Sequence, residues 1–120
     1  MKKYLITCIT LLIAFTAKAQ HLSPPHYPGG KDAFHIFLSK NLKWPNNNFD
    51  VQGTVIIGFC VEINGRLTDF KVIESLGDGF DKEALRVIKL SGRWIPAMRN
   101  NNFIKSKFTV PIQFILTGSD

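Results

Sequence analysis

Three histidines near the start of the chain are the first residues that could bind a metal ion. His21 and His26 lie in a proline- and glycine-rich segment, and His35 lies in a stretch with helical periodicity. Protein zinc sites combine such histidines with cysteines or carboxylates at short, regular spacings. No cysteine or paired carboxylates accompany these histidines at such a spacing, so we expect solvated histidines and no metal centre.

Cys60 is the candidate nucleophile. A cysteine becomes reactive when a neighbouring histidine or other cation stabilises its thiolate. The strand pairing predicted for this part of the chain places Asp69 opposite Cys60, and a carboxylate disfavours a thiolate. We therefore expect Cys60 to be a small residue on a half-covered strand face.

Asp78, Asp81 and Glu83 form the densest group of carboxylates in the sequence. They stand at the start of a predicted helix, where the helix dipole stabilises negative charge. Gly77 and Gly79 lack the lysine and hydroxyl residues of a phosphate-binding loop. No catalytic constellation emerges, so we expect a protein that is not an enzyme and needs no cofactor.

The first 19 residues have the order of a secretory signal peptide. Lys2 and Lys3 precede an apolar run over residues 4–17, and the small residues Ala17 and Ala19 flank Lys18. As a helix the run would extend about 21 Å, whereas membrane hydrocarbon is roughly 30 Å thick. We expect cleavage after Ala19, which leaves Gln20 as the first of 101 residues in a soluble exported protein.

Charge and cysteine content narrow the possible functions. Without the leader lysines 12 basic and 9 acidic residues remain, so the net charge falls from +6 to +3. The remaining basic residues are scattered, which is not the pattern of a nucleic-acid-binding surface. Only Cys60 survives cleavage, so no internal disulfide forms and the hydrophobic core must stabilise one small domain.

The remaining chain predicts a single α+β domain with the order α-β-β-α-β. Residues 20–30 are predicted to be an extended arm, 31–117 the domain and 118–120 a tail. Apolar residues at helical spacing predict a first helix that ends before Trp44, and residues 81–90 a second helix with Gly92 at its C-terminal cap. A polar turn is expected at residues 100–102, where asparagine can adopt the left-handed conformation.

Three strands complete the predicted domain. Strict alternation predicts strands over 53–63, 66–75 and 103–116, with Pro111 favouring an edge position for the last one. We expect Asn64 and Gly65 to form a two-residue type I′ turn between the first two. This turn fixes the pairs as Ile57 with Val72, Phe59 with Phe70 and Val61 with Thr68 on the core face, and Ile56 with Ile73, Cys60 with Asp69 and Glu62 with Leu67 on the other. The result is a three-stranded antiparallel sheet with two helices on one face.

A set of turn, cap and core residues in a specific order resembles the C-terminal domain of TonB. The set consists of Tyr27, Pro28, Gly29 and Gly30; Asn41, Leu42, Lys43, Trp44 and Pro45; Gly53, Val55, Phe59 and Gly65; Asp81, Glu83, Ala84 and Leu85; and Trp94, Pro96, Pro111 and Phe114. The family more often has tyrosine where Trp44 stands. The resemblance covers nearly all of the chain after the leader.

The resemblance implies a protein-binding function in the bacterial envelope. Members of the TonB family carry energy to outer-membrane transporters, and the C-terminal domain binds a short transporter segment as an added strand on its last strand. This implies that Lys105, Lys107 and Thr109 lie beside the partner, with Trp44 and Pro45 as a second contact. Lysines on an edge strand also prevent aggregation, and the two roles can coexist.

Two functional hypotheses remain open. The first is a periplasmic module that binds an outer-membrane transporter or another envelope protein. The second is a self-associating structural protein that dimerises through its last strand or through Ile56, Leu67 and Ile73. An arm of about ten residues would span only about 30 Å, so we expect binding rather than energy transduction between two membranes.

Overall fold

The protein is described here by a computed structural model over residues 21–45 and 51–116. The predicted signal peptide, Gln20, the loop that we predict from the three asparagines at residues 46–48, and the predicted tail at 118–120 lie outside these residues. The elements are β1 (Leu22–Ser23), α1 (Gly30–Asn41), β2 (Gly53–Val61), β3 (Leu67–Glu74), α2 (Asp78–Leu90), β4 (Ala97–Arg99), β5 (Asn102–Ile104) and β6 (Ser106–Phe114). Within the described ranges, none of the helices has the length and apolar character needed to cross a membrane.

Two antiparallel sheets form the β part of the fold. The main sheet has the strand order β3-β2-β6, so β2 is central and both neighbours are edge strands. A small sheet has the order β1-β4-β5. The α+β class is confirmed, and the long elements follow the predicted order α-β-β-α-β, to which the short strands are additional.

The hydrophobic core lies on one face of the main sheet. The predicted core positions of β2, which are Val55, Ile57, Phe59 and Val61, are all buried. Gly58 and Cys60 between them are buried as well, so exposure does not alternate in this part of the strand. α2 supplies the opposite wall, because its apolar residues repeat every three or four positions and so share one face. The buried core comprises Phe34, Val55, Ile57, Phe59, Val61, Phe80, Ala84, Val87, Ile88, Trp94, Val110, Ile112 and Phe114.

The hairpin between β2 and β3 has a three-residue turn, so the predicted two-residue type I′ turn is wrong. The N–H of Glu62 donates to the carbonyl of Arg66 at 2.9 Å, and that of Gly65 donates to the carbonyl of Glu62 at 2.8 Å. Gly65 has φ 87°, whereas Asn64 is not among the residues with positive φ. A three-residue turn that ends in a left-handed glycine is the next most common hairpin, and the same dipeptide suits both turns.

The longer turn changes the strand register predicted from it. Ile57 does pair with Val72, as predicted. On each side of this pair, however, β3 has one residue more than β2. One extra residue lies opposite Phe59, and the other lies opposite the step from Ile56 to Ile57. Asp69 has φ 53°, as expected where a bulge interrupts a ladder. The corrected pairs are Val61 with Leu67, Cys60 with Thr68 and Ile56 with Glu74, whereas Gly58 with Lys71 keeps the predicted register.

The predicted last strand is two strands with different partners. β5 pairs with β4 and β6 pairs with β2, and Lys105 lies between them. The predicted polar turn is confirmed, since Asn100 and Asn101 have φ 49° and 68° and join β4 to β5. β4 was not predicted, because a strand of three residues is too short to show alternation.

The N-terminal arm is paired at Leu22, Ser23 and His26 with the stretch from Ile95 to Arg99. Leu22 lies opposite Arg99 in the small sheet, and two backbone hydrogen bonds of 2.8 and 3.0 Å join His26 to Ile95. Tyr27 then packs its ring 5.8 Å from that of Trp94. The arm is therefore extended because strand pairing holds it so.

Gly65 offers a test of how tightly the hairpin packs on the rest of the domain. A Cβ at Gly65 would lie 2.3 Å from the backbone oxygen of Trp94, whereas a Cβ at Gly92 would have no neighbour within 4 Å. Both glycines have positive φ, which costs an alanine about 1–2 kcal/mol. We expect Gly65→Ala to lower the free energy of unfolding by a further 1–3 kcal/mol or so, because the backbone must move.

Urea denaturation of the two variants measures this difference, with Gly92→Ala as the control for backbone strain alone. Equal losses in both variants would show that the contact between the hairpin and Trp94 is loose.

Candidate functional site

One edge of the main sheet is long and regular. β6 pairs with β2 through nine consecutive residues, from Ser106 opposite Val61 to Phe114 opposite Gly53, without a register shift. Among the described residues, no strand pairs with the other edge of β6. Such an edge presents unpaired backbone donors and acceptors to any extended chain that can align with them.

The opposite edge of the same sheet is irregular. β3 has two register shifts, and Asp69 interrupts it in the left-handed conformation. Val72 and Ile73 are 37% and 58% exposed on this strand. Bulges twist an edge away from potential partners, so of the two edges β6 is the better template for strand addition.

Lys107 and Thr109 lie on the exposed part of β6, on the sheet face that carries no helices. Lys107 is opposite Cys60 and Thr109 is opposite Gly58 on the central strand. A shallow groove of about 600 Å³ runs between these residues and β3. Ile73 partly fills it, because its Cδ1 lies 3.1 Å from where a Cβ of Gly58 would be.

Lys105 lies at the junction of β5 and β6 and forms an ion pair with Glu62. Its Nζ lies 3.3 Å from Oε2 of Glu62, which also accepts a hydrogen bond of 2.6 Å from the Thr68 hydroxyl. The bond from Thr68 lowers the pKa of Glu62, and Lys105 lowers it further, although desolvation acts in the opposite direction. The hydrogen bond and charge of Glu62 in turn raise the pKa of Lys105.

Trp44 and Pro45 lie at the far end of β6 from the lysines. The Trp44 ring stands edge-on to Phe80 and Phe114, with centroid distances of 6.0 and 5.9 Å. Pro45 lines two shallow pockets beside the start of α2. Phe114 is five residues beyond Thr109, about 17 Å along a strand, so the five predicted binding residues form two groups rather than one cluster.

A clamp between the two helices holds the segment that carries Trp44. Oε2 of Glu83 accepts the backbone N–H of Lys43 at 2.6 Å, and Arg86 forms two hydrogen bonds of 2.7 and 2.8 Å to the same carboxylate. Arg86 also donates to the backbone oxygen of Asn41 at 2.7 Å, where α1 ends. We call Lys43, Glu83 and Arg86 the interhelical clamp.

Sequence reasoning missed this clamp by assigning Glu83 to the helix dipole alone. The spacing of Glu83 and Arg86 on one helix face predicts their ion pair. Their bonds to Lys43 and Asn41 join residues about forty positions apart, which no local pattern reveals.

The clamp carries a pH-dependent charge. Desolvation raises the pKa of Glu83, but the hydrogen bonds from Arg86 and Lys43 outweigh it, so the pKa lies below its ordinary value. The Glu83 side chain is 11% exposed and that of Arg86 43%. The carboxylate is therefore anionic and largely covered at neutral pH.

Comparison with known proteins identifies the family. Residues 48–116 match the model of the Gram-negative bacterial TonB protein C-terminal family, which is more than half of the chain. The chain belongs to this family. No curated protein matches it.

A solved structure supports the same fold for this TonB C-terminal domain. The solution structure of the Helicobacter pylori TonB C-terminal domain is similar, with a TM-score of 0.53 and 20% sequence identity. The similarity covers 77% of this chain and 89% of that one. The family makes the chain a TonB-like module of the bacterial envelope that interacts with other proteins. The binding roles of Trp44, Pro45, Lys105, Lys107 and Thr109 stay predictions.

Replacing Glu83 by glutamine tests the interhelical clamp. At pH 7 we expect Glu83→Gln to lower the free energy of unfolding by about 1.5–3 kcal/mol, the contribution of hydrogen bonds to a charged group. Because the folded-state pKa is depressed, the wild type has this advantage in full above the unfolded-state value of about 4.3. It loses the advantage as the pH falls through the folded-state pKa.

Urea denaturation at pH 7 and at pH 3 measures both effects. Glu74→Gln on the exposed edge strand β3 is the control and should change stability little at either pH. A Glu83→Gln deficit of the same size at both pH values would contradict a charge-dependent clamp.

Proposed function

We propose that this domain is a periplasmic protein-binding module that receives an extended segment of an envelope protein as a strand added to β6. The preferred partner is an outer-membrane TonB-dependent transporter, which links the module to TonB-dependent transport. Under this proposal the protein is exported with cleavage near Ala19, requires no cofactor and catalyses no reaction.

The observation that carries this proposal is the difference between the two edges of one sheet. β6 has nine consecutive residues in regular register with β2, whereas the register of β3 shifts twice within its pairing with β2. An extended peptide binds a sheet edge chiefly through main-chain hydrogen bonds, and these require a regular template.

Pro111 indicates which residues of β6 present their backbone to a partner. Pro111 lies opposite Ile56 and has no N–H. A proline is accommodated in a sheet where its nitrogen faces away from the neighbouring strand. Because backbone direction alternates along a strand, residues of the same parity, including Lys107, Thr109 and Gln113, then direct their N–H and C=O groups to the free edge.

Ladder hydrogen bonds alone would give weak binding. About five bonds at a net contribution of about 1 kcal/mol each barely offset an association cost of about 4–15 kcal/mol. Side-chain contacts must add to them. Phe108, half-buried beside Phe59 and Trp94, and Trp44 at the other end of the strand offer apolar surface on the helical side of β6.

Self-association is the alternative function. On the sheet face that carries no helices, Ile73 is exposed and Ile56 is half-buried. Leu67 lies opposite Val61 and packs against the core, so this face is less apolar than the sequence predicts. Self-association through this face would therefore depend on Ile56 and Ile73, without Leu67.

Photo-crosslinking in cells tests the proposal. A photoreactive amino acid replaces Thr109 on the free edge in a tagged chain, and mass spectrometry identifies both the crosslinked partners and the mature N-terminus. We expect outer-membrane receptors to be crosslinked, with Gln20 as the first residue.

The matched control places the same photoreactive residue at Ile36, which is 56% exposed on α1. This position should yield no receptor crosslinks. Crosslinks from position 109 only to other copies of the same chain would reject the transporter hypothesis and favour self-association.

A further inference from the structure

The charges along β6 indicate which kind of partner segment this strand accepts. Resting on the proposed strand addition, we propose that the segment added to β6 carries an acidic residue directly opposite Lys107. These charges, together with the two register shifts of β3, make β6 and β3 of a second copy poor occupants of the edge.

The stretch that contains β5 and β6 has two lysines and no acidic residue of its own. Residues 100–116 include Lys105 and Lys107 and no aspartate or glutamate. Lys105 is paired with Glu62 at 3.3 Å. Lys107 is exposed and has no ion pair within residues 21–45 and 51–116, so its charge is available to a partner.

The position of Lys107 in the sheet makes this charge selective. Its neighbour on the β2 side is Cys60, which is buried and forms a hydrogen bond with Asp69. The other cross-strand neighbour of Lys107 has to come from the added strand. Directly opposed residues of antiparallel strands stabilise a sheet when their charges are opposite and destabilise it when they are alike.

A second copy of β6 is a poor occupant of the edge. Because the strand has no acidic residue, no register of β6 against itself places a carboxylate opposite Lys107. Pro111 also removes one backbone donor from each copy. β3 of a second copy does contain Asp69 and Glu74, but its two register shifts interrupt the ladder that the pairing would need.

The helical side of β6 sets the rest of the partner's pattern. Side chains of an added strand alternate between the two faces, so the neighbours of the residue opposite Lys107 lie on the helical side. There they meet Phe108, whose ring lies 6.0 Å from that of Trp94. The favoured segment is therefore amphipathic, with apolar residues on one side and an acid on the other.

A displayed peptide library tests the charge rule. Ten-residue peptides with valine at alternate positions and randomised residues between them are selected on the full protein purified from the periplasm, and on its Lys107→Glu variant. We expect an acidic residue to be enriched at one randomised position on the wild type, and lysine or arginine at that position on Lys107→Glu. Lys71→Glu, on the same face but on β3, is the matched control and should select like the wild type.

Affinity measurements on the best wild-type peptide then give the magnitude. Replacing its acid by lysine should weaken binding about three- to tenfold, and Lys107→Glu should reverse the preference. The difference should shrink in 0.5 M salt, because the pair is exposed. Amide exchange of Lys107 and Thr109 in the complex verifies that the peptide occupies β6.

The outcomes separate this inference from the proposed function. Peptides that protect β6 without any charge preference would overturn the charge rule and leave strand addition standing. If no peptide is enriched on any of the proteins, strand addition and the charge rule both fail. Wild-type protein that instead pairs β6 with a second copy would overturn the exclusion of self-pairing.

Discussion

The buried indole of Trp94 is the contact on which the rest of the domain depends. Its ring lies 5.2–6.0 Å from the rings of Tyr27, Phe34, Phe59 and Phe108, which belong to the arm, α1, β2 and β6. Its Nε1–H donates to the Ser91 hydroxyl at the end of α2, so the polar atom is satisfied at 3% exposure. The backbone of the same residue pairs with Gly65 of the hairpin. One side chain therefore fixes the position of β6 relative to both helices.

The parts of the fold that follow from local patterns were predictable from the sequence. Alternation located the core face of β2, and Pro111 placed the last strand at an edge, because these signals depend only on side-chain period and on a missing donor. The turn at Asn64 and Gly65 was not decided by its residues, since the same dipeptide suits turns of two and three residues. The one additional residue in the turn changed the strand pairs predicted near it. The extra residue of β3 opposite Phe59 compensates for this shift, so that Ile57 still pairs with Val72.

The candidate site was predictable only in part, for a different reason. Lys107 and Thr109 lie on the expected strand, but the pattern that located them continues unchanged through Lys105, where the partner strand changes from β4 to β2. Periodicity reports the direction of side chains and not the identity of the neighbouring strand. The interhelical clamp was invisible for a related reason, because Lys43 and Glu83 meet only when both helices have packed.

The arm shows how pairing limits what a proline-rich segment can do. A free segment of this composition would act as an extended spacer of about 3 Å per residue. Leu22, Ser23 and His26 are paired with the stretch from Ile95 to Arg99, and Tyr27 belongs to the Trp94 cluster, so these residues cannot act as a free spacer without breaking those contacts. The match to the family model begins at residue 48, yet Trp94 takes two of its four ring neighbours from residues before it. The arm is therefore part of the folded unit and not a free spacer that leads into it.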